Sequence, residues 1–133
     1  MDIDSKDFPF VWLRYTSGEG AAHVFDHLDT LLARGDRFVL LTDDAPAGDD
    51  SSHDDAEGRK QAVLWAKKNR PKSREQIGAM IAIESDADKR TVLEAFSDPF
   101  EKVWGYPLLV ETTRDDALAT ARSLLSTPYP ASA

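Results

Sequence analysis

The chain reads as an α/β protein: a three-layer sandwich with a mostly parallel sheet of four to five strands and helices on both faces. Three observations predict this. Strand-like and helix-like patterns alternate along all 133 residues. RFVLLTD (37–43) is apolar almost throughout, as are strands buried on both faces of a parallel sheet. Each such run is followed by a stretch long enough for the crossover helix that a parallel pair requires. With 41% hydrophobic and 30% charged residues, a chain of this length can bury a core without staples. It is expected to form a single domain over 1–133, with its core at about 8–126.

The elements follow in order. FVWLRYT (10–16), aromatic and β-branched and bounded by Pro9 and SGEG, predicts the first strand. Over 20–34, Ala21, Val24, Leu28, Leu31 and Leu32 share one helical face, and Gly35 follows as a C′ residue. The apolar run 37–43 is the second strand. A helix over about 54–70 is expected to stop near Pro71. IGAMIAIE (77–84) is the third strand, its small residues leaving room for close-packed helices. Ser85 with Asp88 predicts a capping box for the next helix, which carries Val92, Leu93 and Phe96 inward. Asp98 and Pro99 predict a second cap and a further turn with Phe100, Val103 and Trp104. PLLVETT (107–113) is the fourth strand. The last helix is capped by Thr113 and carries Ala117, Leu118, Ala121, Leu124 and Leu125 as its stripe. The tail STPYPASA is expected to be loose.

Composition excludes several functions. The chain has no cysteine, which removes disulfide frameworks, thiolate metal sites and cysteine nucleophiles. MDIDSKDFPF lacks the basic and apolar regions of a signal peptide, and no apolar run reaches the length of a membrane span. A cytoplasmic protein with no membrane contact is the expectation. A net charge of −8 repels phosphate backbones, so nucleic acid is not expected as a partner.

Ligands of open α/β sheets bind outside the carboxyl ends of the strands. That rule selects Arg14 and Ser17 after the first strand, Asp43 and Asp44 after the second, and Glu84 after the third. SGEG (17–20) lacks the third glycine of a dinucleotide loop and the lysine of a P-loop, so it reads as a tight turn. His23 and His27 are spaced to share a metal but fall opposite the apolar stripe, on a face expected to be solvated. No nucleophile elbow or Ser–His–acid set occurs, and no acid pair stands out. No catalytic residue, metal site or cofactor is therefore assigned.

DDSSHDDAEGRK (49–60) is largely explained by a helix amino terminus. Ser52 with Asp55 forms a cap, Asp54, Asp55 and Glu57 fill the first turn, and Lys67, Lys68 and Arg70 fill the last. Acids at the positive end and bases at the negative end of a helix each contribute about 0.3–1 kcal/mol. No calcium-loop register fits the aspartates. KKNRPKSR (67–74), extended by Arg59 and Lys60, could dock an acidic partner or a nucleic acid, although a solvated helix end and turn is the commoner reason for such a run. Trp65 lies off a clean apolar stripe beside these lysines: half exposed it would suit a partner surface, while aromatic side chains in small domains are more often partly buried.

The succession FVWLRYT, helix, RFVLLTDD, polar loop, LWAKKNRPKSR, GAMIAIES, helix and YPLLVETTRDDALATARSLL resembles the STAS-like, SpoIIAA-like domains of bacteria, over about residues 8–126. In anti-sigma-factor antagonists of the broader STAS group a phosphorylatable serine sits in a D-S-x-G turn before a helix. The resemblance carries that position to Ser51 in Asp50-Ser51-Ser52-His53, where His53 replaces the glycine and polar APAGD replaces the usual apolar lead-in. The related CRAL-TRIO folds bind lipids.

The expected function is a non-enzymatic regulatory or scaffolding module. It would bind a protein partner through His53, Arg59, Lys60, Trp65, Lys67, Lys68 and Arg70, with Ser51 and Ser52 as phosphorylation candidates. The alternative is a small-molecule or lipid binder, or a small tailoring enzyme, using Arg14, Ser17, Asp43, Asp44 and Glu84. The aromatic residues of 96–106 offer a patch through which two copies could pair as a homodimer.

Overall fold

A computed structural model describes residues 2–14, 22–43 and 56–126. The elements run β1 (Asp2–Asp4), β2 (Phe10–Arg14), α1 (Ala22–Ala33), β3 (Phe38–Thr42), α2 (Ala56–Gln76), β4 (Ile77–Ile83), α3 (Ala87–Ala95), α4 (Ser97–Trp104), β5 (Leu108–Glu111) and α5 (Arg114–Ser126). The fold is α/β, as the alternating patterns predict. The sheet is mixed: β1 pairs antiparallel with β2, and β2 to β5 are parallel. β1 is the element the sequence reading missed, because three residues alternating Asp-Ile-Asp carry too little pattern to separate from loop.

The strand order is β1-β2-β3-β4-β5, so every parallel crossover steps sideways in the same direction. Right-handed crossovers that all step one way must all lie on one face. The two cores bear this out. On the first face Val11, Leu13, Phe38, Leu40, Met80, Ala82 and Leu108 meet α1 through Val24, Phe25, Leu28, Leu31 and Leu32, α2 through Trp65, α3 through Leu93 and α4 through Phe100. On the second face Val39, Leu41, Ala79 and Ile81 meet α5 through Ala117 and Ala121. Among the described residues, helices therefore cover both faces, four on one and one on the other.

α5 lies close to the sheet because small residues meet there: a Cβ on Gly78 would sit 3.7 Å from Leu124 Cβ and 3.4 Å from Val39 Cγ2. β3, at the centre, is buried along its whole length, as its uninterrupted apolar sequence requires.

Local chemistry accounts for several helix ends. Gly35, at φ +79°, terminates α1 in the left-handed region. Thr113 Oγ1 accepts from Asp116 N at 3.1 Å, the predicted cap of α5. Two predicted caps are corrected. At α3 the cap is Asp86, whose Oδ1 accepts from Asp88 N at 2.9 Å and Lys89 N at 3.1 Å, instead of Ser85. At α4 the helix begins at Ser97 behind Phe96, before Asp98 and Pro99, because Ser97 Oγ donates to Leu108 O at 2.9 Å and ties the turn to β5. Asp86→Ala is expected to cost about 1 kcal/mol and Ser85→Ala almost nothing. Denaturant midpoints of the two variants check this, and equal shifts would contradict it.

The expected stop of the second helix at Pro71 is also corrected: α2 continues to Gln76, so Lys67, Lys68 and Arg70 lie within the helix and its last turn carries Arg74 instead. The Pro71 ring lies on the exposed side, so the carbonyl that loses its N–H partner is on the side that water reaches. Ser73 beyond it is fully buried, which holds the last turns against the fold.

Candidate functional site

α2 presents two unlike faces. Lys60, Val63, Leu64, Lys67, Lys68 and Pro71 recur at helical spacings of three and four and are all exposed, with Val63 at 40% and Leu64 at 57%. Two bare aliphatic side chains thus sit among three lysines, with exposed Lys72 continuing the stripe. The opposite face buries Trp65, Ala66, Asn69 and Ser73.

Trp65, which the sequence left open between surface and core, is 9% exposed and belongs to the core. Its ring stacks on Phe25 at 5.4 Å between centroids and lies 6.2 Å from Trp104, while Nε1–H donates to Asp29 Oδ1 at 2.8 Å. The sequence concealed this because the buried stripe continues through polar Asn69 and Ser73, which interrupts its apolar period. Asn69 Nδ2 is satisfied within the helix, donating to Trp65 O at 3.0 Å.

Arg70 is half-buried, and its Nε donates to Val103 O at 3.2 Å. It binds α2 to the end of α4. Of the basic residues proposed for a partner whose side chains are described, Lys60, Lys67 and Lys68 are the exposed ones. Arg59 lies on α2, with its side chain outside the described residues. Ser51, Ser52 and His53 also lie outside the described residues, as do Ser17 and Asp44.

At the carboxyl ends of the strands, Arg14 and Asp43 are exposed and Glu84 is half-buried. The Glu84 carboxylate accepts from Asp86 N at 3.1 Å, and its backbone N–H donates to Glu111 O at 2.9 Å. Two bases that the sequence reading did not place here reach the same edge. Arg90 Nη1 donates to Glu84 O at 3.1 Å and Ser85 O at 2.8 Å. The Arg114 guanidinium lies 4.3 Å from the centroid of the Trp12 ring. Both sit early in the helix after a strand, where a long side chain can fold back over the strand end; that spacing is the signal that could have found them. Glu84 and Arg90 are committed to their own loop, so the edge is organised to hold its turns together.

His27, placed by helical phase on a solvated face, is half-buried instead. Its Nε2 is 2.9 Å from Ser5 Oγ. The unanticipated β1 brings Ser5 against that side of α1. The side chain of His23 lies outside the described residues. Among the described residues, no group of three or more His, Asp or Glu side chains is arranged to hold a metal ion, and no helix is long and apolar enough to cross a membrane.

Comparison with protein-family models, with curated proteins and with solved structures finds no match to this chain.

Proposed function

We propose that the chain is a non-enzymatic regulatory or scaffolding module, of the STAS-like kind its sequence resembles, that binds an acidic protein partner along the outer face of α2. One observation carries this reading: Val63 and Leu64 are exposed side by side, framed by Lys60, Lys67 and Lys68, in a chain whose net charge is −8. Apolar side chains framed by lysines suit an amphipathic partner, the aliphatic groups anchoring it and the lysines selecting acids and speeding encounter. Phosphorylation at Ser51 or Ser52 would add close to two negative charges a few residues ahead of Ala56, where α2 begins, and so alter the field along this face.

Charge reversal of Lys60, Lys67 and Lys68 to Glu, combined with Leu64→Ser, tests the reading. Quantitative affinity capture from the source cell should lose its specific partners at least about tenfold, with the circular dichroism spectrum unchanged. Identical partner sets for the parent and the folded variant would refute it.

A further inference from the structure

The sheet ends in two unlike edges. β1 is three residues long and carries Asp2 and Asp4, the short, charged form in which edges resist pairing. β5, at the other end, reads LLVE, with no lysine and no shift in its register. Its one charge is turned back to its own chain, since the Glu111 carboxylate accepts from Thr120 Oγ1 on α5. The register also fixes which backbone groups of β5 face outward. Met80 N–H donates to Pro107 O and Glu84 N–H to Glu111 O, while Met80 and Ala82 stand opposite Leu108 and Val110. In a parallel ladder the residues opposite such donors turn their own N–H and C=O the other way. Leu108 and Val110 therefore aim theirs out of the sheet, and Ser97 Oγ donates to the outward Leu108 O at 2.9 Å. Among the described residues nothing takes the N–H or C=O of Val110.

α3 stands over this edge. It packs on β5 and α4, with Leu93 as its buried residue. Val92 and Phe96, expected to point inward with Leu93, are 47% and 53% exposed instead. At about 100° per residue, Arg90 lies on one side of Leu93, and Val92 and Phe96 on the other. Arg90 reaches Glu84 O and Ser85 O at the end of β4, so the opposite flank, with Val92 and Phe96, overhangs the outer edge of β5.

We infer that this edge takes an extended segment of a partner protein as a sixth strand, antiparallel to β5, with an apolar side chain at every second residue. The backbone selects the class of occupant: outward N–H and C=O groups at a strand's edge are met by another strand, whereas a helix spends its own groups internally. α3 selects the side chains. The residue opposite Val110 in an antiparallel pair points to the same face as Val110, which is the face α3 covers. Main-chain bonds then supply affinity, and the apolar contacts with Val92 and Phe96 supply specificity. A second copy adding its own β5 does not fit. Because α3 rests on β5, it would bring two α3 helices to about one strand spacing, 4.8 Å, against the 8–10 Å that packed helices need. This edge is separate from the outer face of α2 and does not depend on it.

The test uses a peptide of about eight residues alternating valine and threonine, in three forms: unmodified, N-methylated at the valines, and N-methylated at the threonines. In the antiparallel pair the valine N–H groups face Val110 and those of the threonines face solvent. Added to the isotope-labelled chain, the unmodified and threonine-methylated peptides should slow hydrogen exchange at Val110 N–H at least about tenfold, and the valine-methylated peptide should not. Val92→Ser with Phe96→Ser, both exposed positions, should weaken peptide affinity at least about tenfold with the circular dichroism spectrum unchanged. Three peptides that act alike, or none that acts, would overturn the added strand. Chemical-shift changes confined to residues 60–72 would overturn it and leave the α2 reading standing. So would a Val110 N–H already protected in the isolated chain: at all concentrations that protection would assign the edge to the chain's own residues, and only at high concentration to a second copy.

Discussion

Trp65→Ala is expected to destabilise the protein by about 3–5 kcal/mol, the cost typical of removing a large aromatic side chain from a core. The indole bridges α1, α2 and α4: it stacks on Phe25, neighbours Trp104 and donates to Asp29. Its loss leaves a cavity between three helices that cannot close without moving one of them. Asp29 is exposed, so its carboxylate is rehydrated when the indole leaves, and packing dominates the cost. The melting temperature should fall by roughly 10–20 °C for a chain of this size, followed by circular dichroism. Trp65→Phe, which keeps most of the ring contact, should lose markedly less. A Trp65→Ala variant that melts like the parent but fails to bind partners would return this residue to the surface role its neighbouring lysines suggest.

Gly105→Ala is the second large effect, about 2–4 kcal/mol. Gly105 ends α4 at φ +94°, a region that side chains rarely adopt, and its N–H donates to Glu101 O at 2.8 Å. A Cβ there would meet Arg70 Cγ at 2.8 Å and Arg70 O at 3.1 Å. The side chain could swing away; the backbone oxygen in the middle of α2 cannot. Gly35→Ala is the matched control: its φ is +79°, but nothing lies within 4 Å of the added Cβ. That variant should cost only the conformational strain, about 1–2 kcal/mol. Adding Arg70→Ala to Gly105→Ala should relieve part of the excess and no more, because the φ strain and the carbonyl contact remain. Equal losses at the two glycines, measured by denaturant unfolding, would show that α2 and α4 do not approach as closely as described.

Both effects arise where the sequence was least readable. Gly105 looks like any turn glycine until Arg70, 35 positions earlier, is brought beside it. Trp65 reads as ambiguous because Asn69 and Ser73 share its stripe. Strands 10–14, 38–42, 77–83 and 108–111 were legible, since long apolar runs leave few alternatives to a buried strand. β1 was not, being short and acidic. The caps at Ser85 and Asp98 were misassigned because Ser, Asp and Asn are near-equivalent acceptors and only the backbone path decides which of several neighbours sits at the first free N–H groups. The lysine stripe of α2 was visible as charge, but its function-bearing feature, the exposure of Val63 and Leu64 between the lysines, required the phase of the helix.

Local order was thus set by residues acting on near neighbours: the alternation of apolar runs and amphipathic stretches, the glycine end of α1 and the threonine cap of α5. Those terms operate over a turn or a pair of residues, so they are written in the chain itself. The distribution of helices over the two faces was decided only by tertiary structure. Once the strands lie in consecutive order, right-handed crossovers place α1 to α4 together and, among the described residues, leave α5 as the helix on the other face. No local pattern encodes strand order, because it depends on which distant edges meet. From that order follow the half-covered Phe10 and Trp12, the buried Trp65 and the outward lysines.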